Sequence, residues 1–204
     1  MRLKSGTAPL NRYLARGMTV AIGIDEAGIN DDRDMLQEMR LVKHMHREPG
    51  LHSPAPSAEQ VLRMATIGGA QTTPFGDRIG TLSAGAAGDA VLLDWKRMTW
   101  PHQDISRSLA EVIVHRARPD AVHSVFVGGE AVIRDRRFTR IDRDAVLQEI
   151  AEALATPPDA DTLARKELGE ALMPHVTRFY DGYRFPDGAP HYATSSRTGP
   201  ESNA

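Results

Sequence analysis

Cysteine is absent from the 204-residue sequence, which removes disulfide scaffolding and thiolate chemistry and permits a reducing compartment. An excess of one charge is also lacking. Lys and Arg number 25 against 27 Asp and Glu, a net charge of -2 with a pI near 6.4. No polyanion-binding signature results, so nucleic acid is not an expected partner. The opening M-R-L-K-S-G has no apolar core of a signal peptide, and no apolar run nears membrane-spanning length. The expectation is a soluble, cytoplasmic protein with no membrane partner. No internal repeat is visible. Gly68-Gly69 lacks the G-x-x-x-x-G-K-[ST] spacing of a phosphate cradle.

What is present begins with residues 19–25, T-V-A-I-G-I-D. Thr19, Val20, Ile22 and Ile24 are β-branched and uninterrupted by charge, which predicts a strand buried on both faces. Asp25 falls at its C-terminal tip. A carboxylate there is costly unless something binds it, so the position invites a metal or a proton; the alternative is an Asp25 that only caps the following loop. Residues 8–16 put Leu10, Tyr13 and Leu14 on one helical face behind Pro9. A second helix is expected from Asp34 to His46, with Met35, Met39, Val42 and Met45 at spacings of four, three and three. Helix, strand, loop and helix in this order make a parallel α/β unit, whose active sites lie on the loops after strand ends.

His44-Met45-His46 has the spacing of a metal-binding pair, but at a helix end residues two apart point about 200° from one another. Two histidines near a helix C-terminus fit the helix dipole instead. His115 closes a helix, His123 begins a strand, and His52, His102, His175 and His191 match no strand tip.

Ser57 opens a capping box with Gln60, followed by a short helix over 58–65 with Val61, Leu62 and Ala65 inward. Thr66-Ile67-Gly68-Gly69-Ala70 then allows a second short helix to pack closely. The pattern changes at Gly76. Ala90–Leu93 reads as a strand, and residues 122–134 as a hairpin about Gly128-Gly129. Between them, Ser106–Arg116 reads as a helix or loop. Helices are expected over Arg143–Ala155 and Asp161–Phe179, and the tail from Phe185 has a disordered composition.

Four stretches in this order resemble the C-terminal part of a metal-dependent amidohydrolase, from the branch with chlorotriazine hydrolases, guanine deaminases and adenosine-type deaminases. R-L-K-S-G-T-A-P-L-N-R-Y-L-A-R-G-M-T-V-A-I-G-I-D resembles the segment through the last barrel strand, and D-M-L-Q-E-M-R-L-V-K-H-M-H-R the helix after it. E-Q-V-L-R-M-A-T-I-G-G-A resembles the family's A-T-x-x-G-A stretch. I-G-T-L-S-A-G-A-A-G-D-A-V-L-L-D with V-F-V-G-G-E-A-V-I-R resembles its small β-sandwich.

The resemblance implies an α/β fold. In it, the C-terminal fragment of a (β/α)8 hydrolase barrel covers residues 1–75, part of a β-sandwich 76–140, helices 141–183 and a tail 184–204. It implies hydrolysis of non-peptide C–N bonds such as deamination of a cyclic amine, with a divalent metal, zinc or iron, in the complete enzyme. Asp25 matches the strand-end aspartate, both metal ligand and catalytic proton carrier. The 24 residues before it cannot hold seven further barrel strands, so this chain alone is expected to bind no metal tightly and to be inactive. The partners implied are a small-molecule substrate, a complementary N-terminal half, or further copies of the chain in a homo-oligomer. A split-gene half and a truncated remnant are the alternatives to an enzyme.

Overall fold

The computed structural model describes residues 7–25, 32–48, 50–104 and 106–181. They divide into two units, one running to Arg140 and the other beginning at Ile141.

The first unit opens with α1 (Leu10–Ala15), which buries Leu10 and follows Pro9. Helix α2 (Met35–Met45) begins where Asp34 accepts the Leu36 N–H on its side chain, so the expected helix from Asp34 is formed with that aspartate as its cap. At α3 (Ala58–Arg63) both halves of the capping box are made: Gln60 donates its N–H to Ser57 Oγ and accepts from the Ser57 N–H. The helix does not stop at residue 65. It passes through a π-turn (Met64–Gly68) into α4 (Gly69–Gln71), so the two short helices expected here are one continuous rod.

Three helices enclose the main core. Met39 of α2 and Ala58 and Val61 of α3 meet Val114 of α6 (Leu109–Arg116), with Ile22, Leu36, Val42 and Leu62 packed around them. This resolves the open reading of 106–116 in favour of a helix, started by Ser108 accepting the Glu111 N–H. Arg40 crosses from α2 to α6 and donates to the Ala117 carbonyl at 2.5 Å. A smaller cluster of Met98, Ala117 and Ala121 joins α5 (Trp95–Thr99) to the sheet through Leu93 and to α6 through Ile113. Leu36 touches both clusters.

The sheet is antiparallel in the order β1 (Ala90–Leu93), β2 (Val122–Val127), β3 (Glu130–Arg134) and β4 (Arg137–Phe138). The β2–β3 hairpin turns on Gly128 and Gly129, both at positive φ (59° and 83°), as the dipeptide predicts. The β3–β4 turn uses Asp135 and Arg136 at φ 50° and 67°, which no turn signal announced. Long-range bonds hold it. Asp135 N–H reaches Ser124 Oγ at 3.3 Å, Arg136 N–H reaches the His123 carbonyl at 2.8 Å, and the Arg136 guanidinium reaches Asp94 at 2.5 Å.

One expectation is corrected. Residues 19–24 form no strand: they lie in an irregular segment without a single ladder partner. A strand exists by pairing, and no described segment lies parallel beside this one.

The second unit holds α7 (Arg143–Ala155), as expected, and α8 (Ala160–Asp181), slightly longer than expected, with Pro174 inside it. Every described residue of this unit is exposed. No helix among the described residues is long and apolar enough to cross a membrane. The expected tail from Phe185 lies outside the described residues.

Candidate functional site

The segment that carries Asp25 is fixed from behind by the helix rod. The π-turn leaves the Met64 carbonyl accepting two N–H groups, that of Gly69 within the rod and that of Ile22 at 3.3 Å. One turn on, Gly68 lies against the Val20 carbonyl so closely that a Cβ there would be 2.3 Å from its oxygen. Ile22 points into the main core. These contacts set the path of residues 20–22 and deliver Asp25 to the surface just beyond.

Asp25 is exposed and has φ 61°, in the left-handed region where Asp is one of the more tolerated non-glycine residues. Beside the same segment runs an open trough of about 260 Å³, lined by Leu14, Met18, Val20, Met64 and Ile67 among others. Gln60, Arg63 and Gln71 add polar groups to the same lining, to which residues 19–24 contribute Thr19 and Val20.

Does the surrounding chemistry suit a metal ion? Among the described residues no three His, Asp or Glu side chains converge where an ion could be held. Asp25 supplies one carboxylate where a catalytic zinc takes about three protein ligands. The described residues therefore do not by themselves fit a metal centre.

The other sequence-flagged groups lie elsewhere. His44 lies in the last turn of α2 and His46 just beyond it as the C-cap; His44 meets His115 of α6, ring centroids 5.4 Å apart and planes tilted by 56°. Burial, followed by the neighbouring His44, lowers the His115 pKa from its ordinary value. That contact was invisible in sequence, because it depends on the packing of α2 against α6. His123 accepts or donates at Ser124 Oγ through Nδ1 (3.0 Å) and sits 3.5 Å from Asp135 through Nε2, beside the β3–β4 turn. Asp94, the other strand-end carboxylate, caps α5 through the Arg97 N–H and pairs with Arg136. Its pKa is lowered, chiefly by that backbone N–H and then by Arg136. His52 and His102 are exposed, as is His175 on α8; His191 lies outside the described residues.

Comparison with known proteins gives a consistent result. The Amidohydrolase family profile matches residues 1–132. A 5-methylthioadenosine/S-adenosylhomocysteine deaminase from Desulforamulus reducens is 35% identical over 155 residues, 76% of this chain and 35% of that protein. An S-triazine hydrolase from Gordonia rubripertincta is 37% identical over 135 residues, 66% of this chain and 28% of that protein. Among solved structures, a zinc-bound adenosine deaminase from Xanthomonas campestris superposes with a TM-score of 0.66 at 28% identity, covering 74% of this chain and 34% of that one. A zinc complex of atrazine chlorohydrolase from Arthrobacter aurescens gives 0.64 at 27% identity, covering 74% and 33%. The chain spans about a third of the length of the curated relatives it matches. The family match spans the segment, the rod and the sheet as far as the start of β3, and this chain belongs to the amidohydrolase family, in the branch of deaminases and triazine hydrolases.

Proposed function

We propose that this chain supplies the final barrel segment and one layer of the small β-sandwich to a hydrolase of non-peptide C–N bonds, with deamination of a cyclic amine as its reaction. The observation that carries the reading is the placement of Asp25. It is an exposed carboxylate at the end of a segment pinned at Ile22 and Val20, within the stretch that matches the family. A divalent cation, zinc in the solved relatives named above, would acidify a bound water at such a site. The remaining ligands would come from an N-terminal part of the barrel, carried on the same polypeptide or on another.

Within that assembly Asp25 has two tasks. Its carboxylate is one of the ligands. It also takes a proton from the attacking water and returns it to the departing amine, so that water replaces the amino group and ammonia leaves. The alternative is a non-catalytic half or remnant. It is favoured by the absence, among the described residues, of three His, Asp or Glu side chains grouped to hold a metal.

The test is reconstitution. The chain alone should hold no stoichiometric zinc and show no deaminase activity. Joined to an N-terminal barrel portion bearing the histidine ligands, it should turn over an aminated heterocycle. Asp25→Asn should then cut turnover about 10²–10⁴-fold, the usual contribution of a general acid–base group. Asp94→Asn, with its fold checked by circular dichroism, should change turnover little. A reconstituted Asp25→Asn protein as active as its parent would mean that Asp25 only caps a loop.

A further inference from the structure

Two guanidiniums meet just past the C-terminal end of α6. Arg40, on α2, donates through Nη2 to the Ala117 carbonyl at 2.5 Å. Arg118 donates through Nη1 to the same oxygen at 2.9 Å and to the His115 carbonyl at 3.1 Å. Like charges converging on one neutral acceptor repel, so a counter-ion is expected beside them. Among the described residues no carboxylate lies within ion-pair reach of either head group. Asp120, two residues beyond Arg118, faces Arg97 at 3.8 Å. Asp34 favours the Arg40 charge from a distance, and its side chain caps α2 through the Leu36 N–H.

The second observation is an orphaned donor. Arg40 Nε is buried and has no hydrogen-bond partner among the described residues. Buried polar atoms in native proteins are almost always paired, and an exception points to an ion or a water as the acceptor. Burial, then Arg118, lower the Arg40 pKa, and Asp34 offsets only part of this. The negative end of α6 does not balance the pair, since a helix C-terminus carries roughly half a unit charge against two full ones. Donors are also spare: each guanidinium has several N–H groups, and the carbonyls take only those of Arg40 Nη2 and Arg118 Nη1. Arg118 is exposed and Arg40 half-buried, so an ion would enter from the Arg118 side. The helices beneath are held by Met39 against Val114, which leaves only the Arg40 side chain to turn its Nε toward such an ion.

We propose that Arg40 and Arg118 form a binding site for a small oxyanion of the phosphate class, held by charge-assisted hydrogen bonds from both guanidiniums. Two cations match a phosphoryl group, with its charge of about -1.5 to -2 at neutral pH, better than they match a monocarboxylate. The site uses neither Asp25 nor a metal, so it stands or falls apart from the proposed function.

The experiment is titration of the full chain with inorganic phosphate at neutral pH and low ionic strength, followed through the arginine Nε–H resonances by NMR. The Arg40 signal should shift and saturate, while that of Arg165, on α8, should stay in place. Acetate should bind at least about tenfold more weakly than phosphate. Arg118→Gln leaves the Arg40 contact with α6 intact and should weaken phosphate at least about tenfold, read on the same Arg40 signal. Arg165→Gln should leave the affinity unchanged. An unmoved Arg40 Nε–H, which would mean that water alone serves it, would overturn the assignment. So would an equal shift at Arg165, acetate matching phosphate, or an affinity that survives Arg118→Gln.

Discussion

Adjacent glycines in the helix rod should respond in opposite directions to the same mutation. At Gly68 an added Cβ would lie 2.3 Å from the Val20 carbonyl oxygen, with the Val20 carbonyl carbon at 3.2 Å and the Arg63 oxygen at 3.3 Å. All three are backbone atoms that cannot swing aside. Forcing a methyl into such a contact costs about 1–3 kcal/mol. Pushing residues 20–22 away would also break the Ile22–Met64 hydrogen bond, worth about 1 kcal/mol. Against this stands the helix preference of Ala over Gly, about 1 kcal/mol. Gly68→Ala should therefore lose about 1–3 kcal/mol net. At Gly69 the nearest atom is the Met64 oxygen at 3.9 Å, an ordinary contact, so Gly69→Ala should keep the full propensity gain.

Thermal melts of the two variants read the difference. At about 2–4 °C per kcal/mol they should fall on opposite sides of the parent. Amide exchange adds a local readout: the Ile22 N–H should lose protection in Gly68→Ala and retain it in Gly69→Ala. If both variants shift the same way, or the Ile22 amide is equally protected in both, the rod does not hold the segment that carries Asp25.

Ser57→Ala removes one half of the capping box and should cost about 0.5–2 kcal/mol by denaturant melt, whereas Gln60→Ala should cost less because Ser57 still accepts an N–H. The lowered His115 pKa means that the unfolded chain takes up a proton near pH 6.5 that the folded chain refuses until lower pH. Stability should decline as pH drops below about 6.5, and His115→Gln should flatten that part of the profile relative to the parent. Asp94 runs in the acid range: its depressed pKa contributes stability above the unfolded carboxylate value, lost as pH falls through the folded one, and Asp94→Asn should remove that dependence.

Sequence revealed what short-range physics decides. The spacing of Met35, Met39, Val42 and Met45 gave α2, Ser57 with Gln60 gave the start of α3, and Gly128-Gly129 gave the hairpin. Each is settled within one or two turns of chain. Residues 19–24 had the composition of a buried strand, but pairing is supplied by other chain segments and composition cannot provide it. The turn at Asp135-Arg136 escaped notice for a similar reason: its positive φ angles are held by Ser124 and Asp94, not by an Asn-Gly signal. At the candidate site, the place of Asp25 along the chain was legible, while its irregular backbone and the π-turn behind it were not. The sequence set His44 at a helix end and argued against a shared ion with His46; helix packing brings it against His115.

The lack of any buried residue in α7 and α8 has a spectroscopic consequence. Heat capacity change and denaturant sensitivity scale with the surface that unfolding exposes, and these helices have little left to expose. Their helicity should fade gradually with temperature, as local helix–coil equilibria do, without a heat absorption peak. Both tryptophans, Trp95 and Trp100, lie in the first unit, so indole fluorescence follows that unit only. Far-ultraviolet circular dichroism sums both units. The two probes should therefore give non-coincident melting curves, with the dichroism sloping before the fluorescence breaks, and a single two-state fit to the whole chain would misjudge the stability of the unit that carries Asp25.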